Sequence, residues 1–383
     1  MKKTVAINAL SALQGGGQVY ISNLLRYAKD FPDVKIYVFS PPQFSHLYTF
    51  PAVDVIPCCF PAKSILHRIA WEKYRMPRFL KELEVDLVFC PGGTINFSPP
   101  PNCLTAVTFQ NILIFDHLNR RKYPPGYIRF RFFMLEAITN KSFKRADIVI
   151  FLTEHAKKIA DQKVPDRKGI SVIIPHGLGN QFRTAERNDI PQAKSLLKGE
   201  YLLYVSVIDV FKAQIEVVRA YHLLCQKRTT KEKLLLVGPE YTPYAQLVRK
   251  EIKKLGLEGK VIIAGNIPYA DMPSVYHHAK ANIFASVCEN CPTVVLESLG
   301  SGRPLFLSNR PPMPELAADA AVYFDPYNPE ELADLLLRYL DDEQQIVEMS
   351  QRAFRRSLIY NGDTAAKKTF QAFRNLMEAK VAS

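Results

Sequence analysis

Short apolar runs alternate with amphipathic segments along almost the whole chain. Runs rich in β-branched residues predict buried strands, whereas apolar positions three and four residues apart predict helices between them. Strands that alternate with helices indicate parallel sheets covered on both faces, so the pattern predicts an α/β protein. The predicted strands cover residues 5–10, 35–39, 85–89, 104–109, 148–152, 171–174, 202–207, 234–237, 261–264, 281–285, 305–307 and 321–324.

A polar segment at residues 184–198 interrupts this alternation. Because 383 residues are too many for one ordinary core, we interpret the segment as a linker between two doubly wound, Rossmann-like domains. The predicted domains span residues 1–184 and 185–360, and the helical segment 361–383 is expected to pack back on the first. Ligands of open α/β sheets bind at the carboxyl ends of the strands, so we expect the functional site in a cleft between the domains.

Composition narrows the function classes only partly. The formal net charge of +13 favours anionic partners: nucleotides, phosphorylated lipids, a membrane surface or nucleic acid. No apolar run approaches the ~20 residues of a spanning helix. We interpret residues 5–13 as containing a first strand rather than a signal peptide, and expect a cytoplasmic protein. The lone C-x-x-C at Cys288 and Cys291 lacks the second pair that a zinc site needs.

Residues 286–304 carry the most informative pattern. A predicted strand ends, a short polar loop follows, and a helix starts near Pro292. The free N–H groups and the dipole at such a helix start favour a bound phosphate. Glu289 lies in the loop and Glu297 about one turn into the helix, where both carboxylates could accept hydrogen bonds from sugar hydroxyls. The structural alternative is a helix cap at Glu289 and a solvated Glu297.

The spacing of these two glutamates resembles the E-x7-E motif of glycosyltransferase family 4, the retaining group 1 enzymes with the GT-B fold. Residues 264–286 before the motif resemble the family's approach to it, and residues 308–315 and 320–326 resemble its next two elements. The resemblance is strong over residues 200–345 and weaker over the first predicted domain.

This resemblance implies a role for each matching residue. Glu289 would contact the donor sugar and Glu297 the ribose. Lys212 would neutralise the donor phosphates, although Val207 stands where the family usually has a second cation, an arginine. An ordinary surface lysine is the alternative at Lys212. The further donor-binding residues implied by the motif are Asn290 and the backbone N–H groups of Thr293 and Val294.

Two features of the first predicted domain are also expected to lie near the donor. Gly16 and Gly17 follow the first strand, where glycine permits positive φ and close approach of a ligand. In the family this loop lies near the donor phosphates and the acceptor, and a plain strand–helix turn is the alternative. Gln110 stands where family members often carry a histidine beside the donor sugar. The absence of G-x-G-x-x-G argues against a nicotinamide-dependent oxidoreductase.

Two basic segments mix cations with aromatic and aliphatic residues. They cover residues 119–133 and 64–81, and the second contains Trp71, the only tryptophan. This composition suits an anionic membrane surface or an anionic lipid acceptor. It also suits nucleic acid, or a face that is simply solvated. We favour the cytoplasmic face of a membrane and expect no nucleic-acid partner.

The resemblance therefore predicts a retaining hexosyltransferase. It would move a hexose from a nucleotide-sugar donor to a saccharide or lipid-linked acceptor in bacterial surface polysaccharide or lipopolysaccharide synthesis. No cofactor is expected besides the donor substrate, and the absence of D-x-D predicts metal independence. The alternatives are a sugar-nucleotide epimerase of the same fold, or a non-catalytic binding protein, which the departures at Val207 and Gln110 would suit.

Overall fold

The fold is described from a computed structural model, which covers residues 2–13, 16–184 and 200–382. The chain divides into two compact units, Met1–Gly177 together with Gly362–Ser383, and Leu178–Asn361. The helix Gln181–Thr184, which the sequence pattern assigns to the first domain, belongs to the second unit. The segment interpreted as a linker lies outside the described residues from 185 onward.

The first unit is built on a seven-stranded parallel sheet with the order β3-β2-β1-β4-β5-β6-β7. Four of its strands are buried along most or all of their length, which explains their continuous apolar sequences. The strands are β1 (Lys3–Asn8), β2 (Val34–Ser40), β3 (Val53–Pro57), β4 (Leu87–Cys90), β5 (Leu104–Phe109), β6 (Ile148–Phe151) and β7 (Ile170–Ile173).

Helices cover both faces of this sheet. The C-terminal helix belongs to the first unit, where Phe370 packs on Phe31 with ring centroids 4.7 Å apart and Phe373 packs on Phe89 at 5.1 Å. The helices are α1 (Gly16–Leu25), α2 (Ile65–Tyr74), α3 (Met76–Glu82), α4 (His117–Arg120), α5 (Tyr127–Arg145), α6 (Glu154–Lys163) and α15 (Gly362–Ala382), with 3-10 turns at Ala28–Asp30, Pro42–Tyr48 and Ile112–Ile114.

The second unit has a six-stranded parallel sheet with the order β10-β9-β8-β11-β12-β13. Its strands are β8 (Tyr201–Val205), β9 (Lys233–Val237), β10 (Val261–Gly265), β11 (Ala281–Phe284), β12 (Leu305–Ser308) and β13 (Val322–Phe324). Its helices are α7 (Gln181–Thr184), α8 (Gln214–Lys227), α9 (Thr242–Lys254), α10 (Met272–His278), α11 (Thr293–Gly300), α12 (Met313–Ala317), α13 (Pro329–Tyr339) and α14 (Glu343–Ser357), with a 3-10 turn at Ala318–Ala320. The prediction of two doubly wound α/β units is confirmed.

Some elements differ from the sequence pattern. Strand β3 was not predicted, because its outward residues Asp54 and Pro57 interrupt the apolar run. The amphipathic segment after it forms two helices rather than one, and the break falls at Arg75, two residues before Pro77. Proline lacks an N–H and clashes with the preceding turn, so it is tolerated only near a helix start.

Both sheets reverse their strand order at one point. In the first unit β1 lies between β2 and β4, and in the second β8 lies between β9 and β11. The loops at the carboxyl ends of the two central strands therefore diverge and leave a crevice, which is where ligands bind in open α/β sheets. The predicted site residues follow these strands or their neighbours in both units.

Candidate active site

Two loops at the reversal point of the second sheet carry the predicted catalytic residues. One runs from the end of β8 to α8 and contains Lys212, and the other runs from β11 to α11 and contains Glu289. The loops are tied together because the Val287 N–H donates to the Phe211 carbonyl at 2.9 Å. The fold thus brings together two residues that lie 77 positions apart in sequence.

Lys212 and Glu289 form an ion pair. The Lys212 ammonium contacts Glu289 Oε1, and the two side chains are only 10% and 13% exposed. The Ser286 hydroxyl also lies 2.5 Å from this oxygen. The alternatives of a surface lysine and a helix cap at Glu289 are wrong, because the cation is buried and the carboxylate bonds to side chains.

The surroundings of Lys212 fix its position. Its ammonium lies over the rings of Phe211 and Phe284, 4.6 Å and 5.3 Å from their centroids, a cation–π arrangement that suits a partly desolvated cation. Its carbonyl accepts a hydrogen bond from the Tyr204 hydroxyl. Burial, together with the charge of Glu289, raises the pKa of Tyr204 well above its ordinary value, so this hydroxyl stays a neutral donor.

The residue after Lys212 has an unusual backbone. Ala213 is buried and adopts a left-handed conformation with φ 53°, which costs a non-glycine residue free energy. It caps α8, and the next side chain, Gln214, donates to the Val207 carbonyl at 2.9 Å. Val207 therefore contributes a backbone acceptor here, and the structure places no cation at that position.

Helix α11 begins at Thr293, and Pro292 is its N-cap rather than its first residue. The first N–H groups of a helix have no carbonyl partner within it. Thr293 and Val294 supply two of these groups at the start of α11 and are half-buried. Asn290, in the loop before them, is 5% exposed. The start of α11 therefore follows directly on the loop that holds Glu289.

Glu297 lies on the buried side of α11 and is 5% exposed, so the interpretation of a solvated residue is wrong. The hydroxyl of Tyr276 donates to its Oε2 at 3.0 Å, and that of Tyr269 to its Oε1 at 3.3 Å. Burial raises the pKa of the Glu297 carboxyl to about 7, and the two tyrosine hydrogen bonds act in the opposite direction. This carboxyl therefore changes charge near neutral pH.

The predicted donor-binding residues of the first unit lie at the carboxyl edge of its own sheet. Gly16 and Gly17 open α1, and Gly17 does not adopt the positive φ that glycine permits. Among the described residues, a Cβ at Gly16 would meet nothing within 4 Å, and one at Gly17 would lie 4.0 Å from Gln110 Oε1. These described neighbours therefore do not require glycine at either position.

Gln110 follows β5 and is half-buried. Its Nε2 atom is buried and has no hydrogen-bond partner among the described residues. A buried amide that lacks an acceptor is costly, and a ligand oxygen would remove that cost. Near this edge the half-buried His176 packs on the Tyr20 ring at 5.1 Å, and burial lowers its pKa to about 4, so it is neutral at pH 7.

Sequence reasoning missed several residues that hold this site. Ser286 begins the motif segment, and Tyr269 and Tyr276 lie in the segment before it, but the sequence pattern assigns none of them a role. The position of Ser286 three residues before Glu289 was an available signal, because short polar side chains often bond within a turn. No local pattern could have paired the tyrosines with Glu297.

Metal ligation is not evident in this part of the molecule. Within residues 2–13, 16–184 and 200–382, no group of three or more His, Cys, Asp or Glu side chains is placed to hold a metal ion. Cys288 and Cys291 are both buried. Metal independence remains a prediction.

The sequence of the second unit matches a known family model. Residues 186–356 match the model described as "Glycosyl transferases group 1". The match covers less than half of the chain and lies within the second unit. The resemblance expected from the glutamate motif is thereby confirmed at the level of the family.

Known proteins extend this similarity to the fold of the whole chain. The chain is similar to a sucrose-phosphate synthase from Thermosynechococcus elongatus, with a TM-score of 0.76 and 14% identity over 98% of this chain and 100% of that one. It is also similar to Anabaena HepE in complex with UDP-glucose, with a TM-score of 0.74 and 14% identity over 97% and 99% of the two chains. At these identities the likeness shows the fold alone, and the predicted GT-B class is confirmed.

Curated relatives are similar to the chain in sequence over part of their length. The chain is 24% identical over 240 residues to the O-antigen chain mannosyltransferase B of Escherichia coli, a match that covers 62% of this chain and 60% of the relative. Matches to other curated relatives cover between 31% and 51% of their length. The chain thus spans less than two thirds of these relatives. No helix among the described residues has both the length and the hydropathy needed to cross a bilayer.

Proposed function

We propose that this protein is a glycosyltransferase that moves a hexose from a nucleotide-sugar donor to a saccharide or lipid-linked acceptor. The observation that carries the proposal is the juxtaposition of Lys212, Glu289 and the start of α11 at the reversal point of the second sheet. A cation and free helix N–H groups bind a diphosphate, whereas a carboxylate beside them accepts hydrogen bonds from sugar hydroxyls. The match of residues 186–356 to the model of the group 1 glycosyltransferases supports it.

The proposed chemistry uses these groups in distinct roles. Negative charge grows on the diphosphate as the bond to the anomeric carbon breaks, and Lys212 with the Thr293 and Val294 N–H groups stabilises that charge. Glu289 orients the hexose, and Glu297 orients the ribose. The acceptor hydroxyl forms the new bond to the anomeric carbon, and the leaving diphosphate takes its proton. We propose retention of configuration and no requirement for metal.

Relatives suggest the setting of the reaction. One is named an O-antigen chain mannosyltransferase, and a similar structure, WaaG, is described as a glycosyltransferase involved in lipopolysaccharide biosynthesis. We therefore propose that the acceptor belongs to surface polysaccharide or lipopolysaccharide synthesis. The protein would act in the cytoplasm, at the inner face of the membrane.

A ligand panel tests the proposal. Thermal unfolding is measured with UDP, GDP, ADP, dTDP and NAD, each with and without EDTA. A ligand at about 100 times its Kd stabilises the fold by about 2.7 kcal/mol. We expect one nucleoside diphosphate to raise the Tm whether or not EDTA is present. A rise with NAD alone would reject the transferase, whereas free sugar or an epimerised sugar nucleotide formed without an acceptor would favour an epimerase.

A further inference from the structure

One face of the first unit exposes large apolar side chains among cations. On α5 the exposed residues Tyr127, Phe130 and Met134 follow one another at intervals of three and four, with Phe133 beside them. Leu66 on α2 is 77% exposed, and Phe130 is 62% exposed. These six residues, Leu66, Ile69, Tyr127, Phe130, Phe133 and Met134, are called the apolar-basic face below.

Helices α2 and α5 pack on the same face of the sheet. The parallel register places Phe39 of β2 and Phe109 of β5 on the same face of the sheet. Trp71 of α2 packs on Phe39 at 5.8 Å, and Phe143 of α5 packs on Phe109 at 5.4 Å. Both helices therefore cover that face of the sheet and turn their opposite sides outward.

A loop after β4 connects the inner sides of α2 and α5. The Ile95 N–H donates to Ser142 Oγ on α5 at 2.8 Å. The next side chain, Asn96, donates to Glu72 on α2 at 2.7 Å. Since one dipeptide contacts both helices, their outward residues belong to one continuous layer of the unit.

The segments that contain α2 and the start of α5 carry many more cations than carboxylates. Residues 60–81 contain six Lys or Arg and one carboxylate, and residues 117–134 contain five and none. The single carboxylate, Glu72, is 3% exposed and accepts hydrogen bonds from Asn8 and Asn96. Lys73 and Arg131 are exposed beside the apolar residues. The outward surface formed by these two ranges is therefore mostly positive, and the one carboxylate within them is turned inward.

We propose that the apolar-basic face docks on an anionic lipid bilayer. Aromatic and aliphatic side chains enter the boundary between headgroups and acyl chains, while flanking Lys and Arg side chains meet lipid phosphates. The exposed Leu66, Ile69 and Met134 favour a lipid surface over nucleic acid, because single-strand binding relies on aromatic stacking, to which aliphatic side chains add nothing. Trp71, which the sequence suggested as an interface residue, is 7% exposed and has no part in this contact.

Some basic residues of these segments do not belong to the lipid contact. Arg120 donates to the Ile114 carbonyl and pairs with Glu136. Arg129 donates to the carbonyls of Tyr123 and Arg121, both at 2.6 Å. These two arginines build the loop before α5, so the exposed Arg121 and Arg131 are the cations to test.

Vesicle co-sedimentation tests the proposal without any sugar donor. The full chain is mixed with vesicles of phosphatidylcholine alone, or of phosphatidylcholine with phosphatidylglycerol, at low and at high salt. We expect binding only to the anionic vesicles, and its loss at about 1 M salt, where the Debye length falls to about 3 Å. Arg121→Gln with Arg131→Gln should weaken binding by about tenfold or more.

Paired apolar variants distinguish vesicle binding through this face from nonspecific adsorption. Phe130→Ser with Phe133→Ser, and Leu66→Ser with Ile69→Ser, should each weaken vesicle binding by about tenfold. The matched control, Val347→Ser with Leu358→Ser, changes two residues of the second unit that are 53% and 54% exposed, and should bind as the unaltered chain does. All variants should keep the unaltered Tm.

Three results would overturn the proposal. The unaltered chain fails to sediment with anionic vesicles, or all variants bind equally, or the chain binds an RNA oligomer through the same residues and ignores vesicles. None of these results bears on the transferase proposal, because the nucleotide panel uses no membrane. A loss of nucleotide binding with intact vesicle binding would reject the transferase alone.

Discussion

The carboxyl edges of the two sheets share a topology and differ in chemistry. In the second unit the loops after β8 and β11 hold a buried cation against a buried carboxylate. In the first unit the residues after β1 and β5 include Gly16, where a Cβ would meet no described atom within 4 Å, and Gln110, whose Nε2 has no acceptor among the described residues. The fold thus determines where a ligand can bind in each unit, whereas the side chains determine which part of a ligand it accepts.

The two edges differ in whether a ligand must displace a protein partner in order to bind. The second edge satisfies its own charges, so a bound diphosphate must take Lys212 partly away from Glu289. At the first edge, Gln110 Nε2 has no acceptor among the described residues, so a ligand that accepts from it displaces no partner there. Substitutions at the second edge should therefore affect both folding and function, and those at the first edge mainly ligand affinity.

The largest effect is expected from Glu289→Ala. Loss of the carboxylate that orients the sugar should lower kcat/KM for transfer by about 10²–10³-fold, as for removal of a group that acts on the reacting centre. Transfer of labelled sugar to an acceptor extract measures this effect, with Glu330→Ala, an exposed residue of α13 in the same unit, as the control. Turnover like that of the unaltered chain would reject the role of Glu289.

The ion pair itself is tested by a double-mutant cycle. Lys212→Met leaves Glu289 buried without its cation and should lower the free energy of unfolding by about 3 kcal/mol. Adding Glu289→Gln should restore most of that loss, because the neutral amide needs no counter-charge. Urea denaturation measures both. Additive effects of the two substitutions would mean that the pair contributes nothing to stability.

Glu297 links stability to pH. Its carboxyl has an ordinary pKa of 4.5 and a folded pKa of about 7, so the folded state holds the proton more tightly than the unfolded state. Protonated Glu297 therefore contributes up to about 3 kcal/mol to the free energy of unfolding. The whole contribution is present below about pH 4.5, and it is lost as pH rises through about 7. Glu297→Gln should flatten the pH dependence of unfolding over this window. An unchanged profile would show that another group titrates there.

The smallest effects are expected at the first edge. Gln110→Ala removes one hydrogen-bonding amide and should weaken donor binding by about fivefold to tenfold, with no loss of Tm, since its Nε2 atom has no hydrogen-bond partner among the described residues. Gly16→Ala should leave the fold as stable or more stable, because a Cβ there meets no described atom within 4 Å. Calorimetric titration with the nucleotide identified by the panel measures donor affinity, and thermal unfolding measures stability. A fall in Tm for either variant would mean that the residue supports the fold instead.

Sequence could predict the elements and propose side chains for the candidate site, but not how these side chains are paired. Twelve strands follow from apolar runs because both faces of a parallel sheet are buried, whereas β3 escapes detection at Asp54 and Pro57. The contact between Lys212 and Glu289 depends on β8 and β11 being neighbours, a consequence of strand order that no local pattern contains. The burial of Glu297 depends likewise on α10, which brings Tyr276 to it.

The burial of Trp71 has a practical consequence. It is the only tryptophan of the chain and stacks on Phe79 at 5.6 Å inside the first unit. Intrinsic emission excited at the red edge of the absorption band therefore reports on one half of the molecule, while far-ultraviolet circular dichroism reports on both. If the two halves melt separately, the two signals will diverge during heating, and their order of loss will identify which half is weaker without any label or truncation.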